Sequence, residues 1–192
     1  MQPFKKIRFI CLLSALILAG FHVNADENTA TNTATAIVSL GVTEVSLLKA
    51  SEGIVMLQLG QQEAGMSMET AKSDSTMRLL ISSVISSSAT RTLTAKITAG
   101  AVPTGTHLDV VALQPNASFV GGSGTFASPT SLDGTDRPIV TGIATCYSGT
   151  EPSDGYPLKF TYAIDLNSTA YGSIRATAGT QIVVTFTLTA VQ

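Results

Sequence analysis

The sequence predicts an all-β fold: an antiparallel, immunoglobulin-like β-sandwich of about 7–9 strands, with turn signals recurring roughly every 8–12 residues. Three observations predict it. Apolar and polar residues alternate over segment after segment, the period of two that sends one strand face into a core and the other into water. The connections are rich in turn formers, as in "TAGAVPTGT", "SPTSLDGTDRP", "SGTEPSDGYP" and "TAGT". No stretch keeps a 3.6-residue apolar stripe over three turns, which a surface helix needs.

In chain order, residues 1–25 carry the three parts of a secretory signal peptide. Lys5, Lys6 and Arg8 are the basic start, Phe9 to Gly20 the apolar run, and Val23-Asn24-Ala25 the cleavage site. That run falls short of the roughly 20 residues a membrane-crossing helix needs. The expectation is an exported chain starting at Asp26, with no membrane span after cleavage, in the periplasm, at the outer cell surface or outside the cell. Residues 26–36, "DENTATNTATA", are polar and low in complexity, the composition of a flexible leader. Residues 37–192 then form one β-sandwich domain.

Within that domain "AIVSLGVTEVSL" (36–47) sets Val38, Leu40 and Val42 on one side and Ser39, Gly41 and Thr43 on the other. "GIVMLQLG" (53–60) is an apolar run between glycines, as expected of a strand buried on both faces. In "TRTLTAKIT" (90–98), Leu93, Ala95 and Ile97 alternate with Thr92, Thr94 and Lys96. "HLDVVAL" (107–113), "PIVTGIATC" (138–146), "KFTYAIDL" (159–166) and "QIVVTFTLTAV" (181–191) follow. Phe160, Tyr162, Ile164 and Leu166 share a face in the third of these; Ile182, Val184, Phe186, Leu188 and Ala190 do so in the last. The best helix candidate is "QQEAGMSMETAKS" (61–73), weakened at Gly65 by about 1 kcal/mol relative to alanine.

Charge and cysteine usage exclude several function classes. The signal removes three of the 11 basic residues and none of the 13 acidic ones, leaving 8 − 13 = −5. The remaining Lys and Arg are scattered singly, so no nucleic-acid partner is expected, because phosphate binding rests on clustered basic residues. With Cys11 in the signal, Cys146 stands alone and no internal disulfide forms. A nucleophilic cysteine needs a base, and His107 is the one histidine after the signal. His107 and Asp109 share a strand face, but nothing in the sequence joins them to Cys146. The expected place of Cys146 is a strand face with Val140, Gly142 and Ala144, packing as a small hydrophobe.

Four carboxylates in Gly/Pro loops are the candidate metal ligands: Asp133 and Asp136 in "LDGTDRP", Glu151 and Asp154 in "TEPSDG". Calcium takes six to eight oxygens, and neither loop carries the full run of acidic residues of an EF-hand. Asp-Gly is also ordinary turn chemistry. A glycan site would rest on aromatic platforms; the chain has no tryptophan, leaving Tyr147 and Tyr156, which flank one loop. Sequons stand at Asn116 and Asn167. "GGSG" (121–124) opens no helix and is no phosphate loop. No cofactor, no resident metal and no catalytic residue are expected.

Two resemblances bear on this reading. The stretches from "SSVISSSATRTLTAKITAGAVPTGTHLDVVA" through "IVTGIATCYSGTEPSDGYPLKFTYAI" to "YGSIRATAGTQIVVTFTLTA" resemble a group of small exported β-rich proteins of Gram-negative, Bacteroidota-like bacteria. The resemblance implies that the cysteine segment belongs to the module's architecture, and it brings no catalytic residue with it. The end, "GTQIVVTFTLTAVQ", is similar to the terminal strand of chaperone–usher pilin subunits, whose incomplete sandwich is filled by a neighbour's N-terminal segment. Val191 stands where that pattern has tyrosine, and the pilin disulfide is missing. The functional expectation is a non-enzymatic structural or adhesive module at the cell surface, with a protein partner or self-association. The alternatives are a pilin-like subunit assembling by strand exchange and a calcium- or glycan-binding module using loops 130–137 and 148–156.

Overall fold

The computed structural model describes residues 35–51, 53–60, 63–86, 89–177 and 179–191. The expected signal peptide (1–25) and residues 26–34 of the expected leader therefore lie outside the described residues. The chain divides between Leu40 and Gly41. Residues 35–40 are exposed and carry no secondary structure. Among the described residues, the unit that follows is all-β: twelve strands and one short helix, β1 (Val45–Ala50), β2 (Ala71–Asp74), β3 (Arg78–Val84), β4 (Thr90–Ala99), β5 (Thr106–Ala112), β6 (Val120–Gly121), β7 (Thr125–Phe126), β8 (Thr130–Ser131), β9 (Arg137–Ile143), β10 (Cys146–Tyr147), β11 (Tyr156–Ile164), α1 (Ser168–Ser173) and β12 (Val183–Val191).

Two antiparallel sheets make the sandwich. The larger runs β6-β10-β3-β11-β5-β8, with β1 also paired to β3 and β2 to β11; the smaller runs β12-β4-β9-β7. The alternation read from the sequence sets which side chains meet between them. Leu93 and Ala95 of β4 face Leu79 and Ile81 of β3, Val110 and Ala112 of β5, and Leu158 and Phe160 of β11, all in one buried cluster. Each fully buried Leu, Ile or Phe there contributes about 1.5–3 kcal/mol relative to exposure.

Several expectations are corrected. The first strand starts at Val45, so Val38, Leu40 and Val42 lie outside any strand and are exposed. Residues 53–60 are not a doubly buried strand. They form no ladder, and Val55 and Leu57 pack on the core while Ile54 and Met56 face water. The helix candidate 61–73 is a turn near Gly65 followed by β2. The 138–146 strand ends at Ile143, just past Gly142, whose positive φ of 68° only glycine adopts readily, and Ala144 and Thr145 separate it from β10. Cys146 is therefore on a separate short strand between β6 and β3, buried as expected. Leu166 falls beyond β11 and is exposed, unlike Phe160 and Ile164. The sequence reading missed β3 and α1; the latter is capped by Asn167, whose Oδ1 accepts from the Ala170 N–H at 2.7 Å.

Candidate functional site

The two acidic loops fold on their own donors. In the first, Asp133 follows Leu132, which bonds to β5, and its carboxylate closes the turn into β9. One oxygen accepts from the Thr135 N–H at 2.7 Å and the other from the Arg137 guanidinium at 2.5 Å. The Arg137 hydrogen bond, then that of Thr135, hold the Asp133 carboxyl at about 2, below its ordinary 3.8. Asp136 accepts from Lys96 Nζ on β4 at 2.9 Å. Cationic side chains of the protein thus stand where a bound cation would neutralise these carboxylates.

The second loop is anchored deeper. Asp154 is only 6% exposed. Its Oδ1 accepts from Ser118 Oγ at 2.6 Å and Asn116 Nδ2 at 3.4 Å, and its Oδ2 from the Glu151 N–H at 3.0 Å. The Ser118 hydroxyl first, and the Glu151 amide next, draw its carboxyl below the usual range. Gly149 packs against the Asp154 side chain, where a Cβ would collide. Of the four candidate ligands Glu151 is exposed, and no hydrogen bond to its carboxylate is seen among the described residues. Among the described residues no three His, Cys, Asp or Glu side chains converge on a metal-sized position. Tyr156 is fully buried and so offers no sugar platform, whereas Tyr147 is exposed.

An acid titration checks the first loop. A folded carboxyl pKa depressed from 3.8 to about 2 makes a stabilising contribution that is complete above pH 4 and lost as pH falls through 2. The Asp133→Asn variant should therefore lose less stability than the wild type between pH 4 and 2. An Asp133 carboxyl NMR midpoint near its ordinary value would contradict the arrangement.

Outside the loops, the structure places His107 and Cys146 apart from each other. His107 Nδ1 lies 2.7 Å from Asp165 Oδ1, and its Nε2 lies 3.9 Å from Asp109 Oδ2. Ser131 Oγ donates to Asp109 at 2.5 Å, so the hydroxyl meets a carboxylate and not the imidazole. Cys146 lies on β10, three strand positions from His107 on β5. At about 4.8 Å per step that is roughly 14 Å, beyond any Cys–His hydrogen bond. Burial also pushes the Cys146 thiol up to about 11, away from the thiolate a nucleophile needs.

The feature that no internal partner accounts for is a sheet edge. Edge strands present unpaired N–H and C=O groups, and proteins protect them by shortness, charge, proline or bulges. β6, β7 and β8 are two residues long; β1 carries Lys49, and β2 carries Lys72 and Asp74. β12 has nine residues, pairs only with β4 among the described residues, and carries neither charge nor proline from Val183 to Val191. Its one register shift is at its start, between Val183 and Val184. The inward row Val184, Phe186 and Leu188 packs on the core yet stays only half-buried, unlike Leu93 and Ala95 on the neighbouring strand. The apolar run 53–60 likewise lays Val55 and Leu57 on the same core with no ladder partner. Sequence reasoning picked out the alternation of β12 but not its position at an edge, which depends on pairings more than eighty residues away.

Comparisons with family models, curated proteins and solved structures find no match for this chain. Among the described residues no helix is long and apolar enough to cross a membrane.

Proposed function

We propose that this protein is an exported, non-enzymatic structural module of the cell surface, and that it assembles by receiving a strand from a protein partner along β12. The observation that carries this reading is the edge of β12: nine uncharged residues whose one ladder among the described residues is with β4, above a core row that stays partly exposed, with β1 approaching but not pairing. An added strand satisfies the free backbone groups of β12 through main-chain hydrogen bonds, and its alternate side chains cover Val184, Phe186 and Leu188. A surface of serines and threonines with few charges suits repeated contact between like modules better than recognition of charged ligands. The basic start, apolar run and small residues of positions 1–25, which read as a secretory signal, support the assignment to the exported compartment.

Sedimentation of the purified mature chain over a range of concentrations tests the proposal, read together with amide hydrogen exchange. Expected are higher oligomers, with β12 amides that exchange fast in the monomer and slowly in the assembly. A chain that stays monomeric at every concentration, with β12 already as protected as β4, overturns it.

A further inference from the structure

We propose that the cleft between the β4–β5 connection and the segment leading from α1 to β12 binds an acidic sugar residue of a polysaccharide, with Arg175 taking its carboxylate. The cleft measures about 240 Å³ and is lined by Pro103, Thr104, Ser173, Arg175, Thr177 and Thr180. That is less than the roughly 300–1,000 Å³ of whole small-molecule pockets, so it suits a single residue of a chain that continues outside. It departs from the sparsely charged surface around it: its lining combines one guanidinium with four hydroxyls and no carboxylate.

Arg175 is only partly used by the fold. Its Nη1 donates to the Gly172 carbonyl at 2.9 Å and to the Ile174 carbonyl at 2.8 Å, at the C-terminal end of α1. Those bonds occupy both Nη1 hydrogens and satisfy the helix end. Nε and Nη2 remain, an edge whose parallel N–H groups match the two oxygens of a carboxylate. Among the described residues no acidic side chain pairs with Arg175.

The hydroxyls select among carboxylates. Ser173 Oγ donates to the Ala170 carbonyl at 2.6 Å and so meets a ligand as an acceptor. The hydroxyls of Thr104, Thr177 and Thr180 have no partner among the described residues and can donate or accept. Sugar hydroxyls have the same two-way capacity, and the Pro103 ring offers an apolar surface to the C–H face of a pyranose. A peptide carboxylate would bring a side chain for which the cleft has no further apolar wall. The anchor is therefore charge and hydroxyls, in place of the aromatic platform that other sugar sites use.

The walls are held in place. Gly100 lies so close to the Gln181 carbonyl, and Gly105 to the Ala170 carbonyl, that a Cβ at either would collide. Thr106 bonds back to the Pro103 carbonyl through its N–H at 3.1 Å and its hydroxyl at 2.6 Å. The Asp165 N–H donates to the Gly105 carbonyl at 2.9 Å. The connection bearing Thr104 is thus pinned at both ends to the segments bearing Ser173 and Thr180, and a preformed cleft loses little ordering entropy on binding.

Calorimetric titration of the mature chain with D-glucuronate, D-glucose and acetate tests the proposal, repeated on Arg175→Lys and Thr104→Val. Both positions are exposed and outside the strands, so an unchanged thermal midpoint shows that each variant folds. Glucuronate should bind at least about tenfold tighter than glucose or acetate, because only it engages both the guanidinium edge and the hydroxyls. Arg175→Lys keeps a cation at the end of α1 but loses the fork, and should weaken glucuronate by about tenfold. Thr104→Val should weaken glucuronate severalfold and leave acetate unchanged. Glucose binding as tightly as glucuronate, or Arg175→Lys binding glucuronate as well as the wild type, overturns the role of Arg175. If acetate binds as tightly as glucuronate and Thr104→Val weakens neither, the sugar assignment falls. The absence of saturable glucuronate binding removes the site altogether, and none of these outcomes bears on the β12 edge, which sedimentation and amide exchange read separately.

Discussion

Replacing Tyr156 with alanine is expected to remove about 3–5 kcal/mol of folding stability, the range for deleting a large ring from a closed core. Tyr156 has no exposed surface. Its ring lies 5.1 Å from that of Phe119 and 5.8 Å, near edge-on, from that of Phe126, and its hydroxyl donates to the Ser123 carbonyl at 2.8 Å. Tyr156 therefore ties the start of β11, which pairs with Leu79 of β3, to the chain around β6 and β7. Cavity formation dominates, and the hydroxyl is the smaller part. Tyr156→Phe keeps both ring contacts and should cost about 1 kcal/mol, mainly for the deprived Ser123 carbonyl. Equilibrium denaturation by guanidinium measures both. A Tyr156→Ala variant within about 1 kcal/mol of the wild type would place the ring outside the core's closed part.

The second large effect is expected at Arg91. This arginine points between the sheets from β4, with its side chain only 5% exposed. Nε donates to Ser83 Oγ at 3.2 Å, and Nη2 to Glu44 and to the carbonyls of Val45 and Val84. Arg91→Met should cost about 2–3 kcal/mol, because methionine fills the volume but leaves buried Ser83 without its guanidinium donor and removes a second bond from the Val45 and Val84 carbonyls, which also face each other in the β1–β3 ladder. The ion pair is the lesser share: the Glu44 side chain is 54% exposed and rehydrates when its partner goes. Glu44→Gln should therefore cost under about 1 kcal/mol, the range of surface pairs. Unfolding in low and high salt separates the two. If salt erased most of the Arg91→Met penalty, the Coulombic share would be the larger and this ranking would be wrong.

The parts of the fold that were legible in the sequence are those where the period of two is unbroken. β4, β5 and β12 alternate as read, and β11 does so as far as Phe160 before Ala163 and Ile164 both turn inward. β3 escaped notice because its inward row is Leu79, Ile81 and Ser83, while Leu80 and Val84 lie on the other face. Ser83 is a core residue only because Arg91 reaches it, a pairing that the sequence does not announce. The run 53–60 misled for the opposite reason. Its apolar density reads as double burial, but half its side chains face water because no strand lies beside it. The acidic loops were legible as turns. That Asp154 is held within its loop by Ser118 and Asn116 was not, since those donors lie more than thirty residues away. The candidate edge was half legible, as a strand without charges but not as a strand laddered on one side only.

The pairing of β12 with β4 also bears on how the chain reaches its native state. Val183 lies opposite Ala99 and Val191 opposite Thr90, so this ladder closes loops of more than eighty residues. Closing such loops is entropically slow, and folding rates fall as the average sequence separation of contacts rises. β4, the centre of the smaller sheet, has one of its two long partners only once residues 183–191 are present. Until then Leu93, Ala95 and Ile97 lack a complete cover. The growing chain should remain unfolded through most of its synthesis, until residues 183–191 are available to pair with β4.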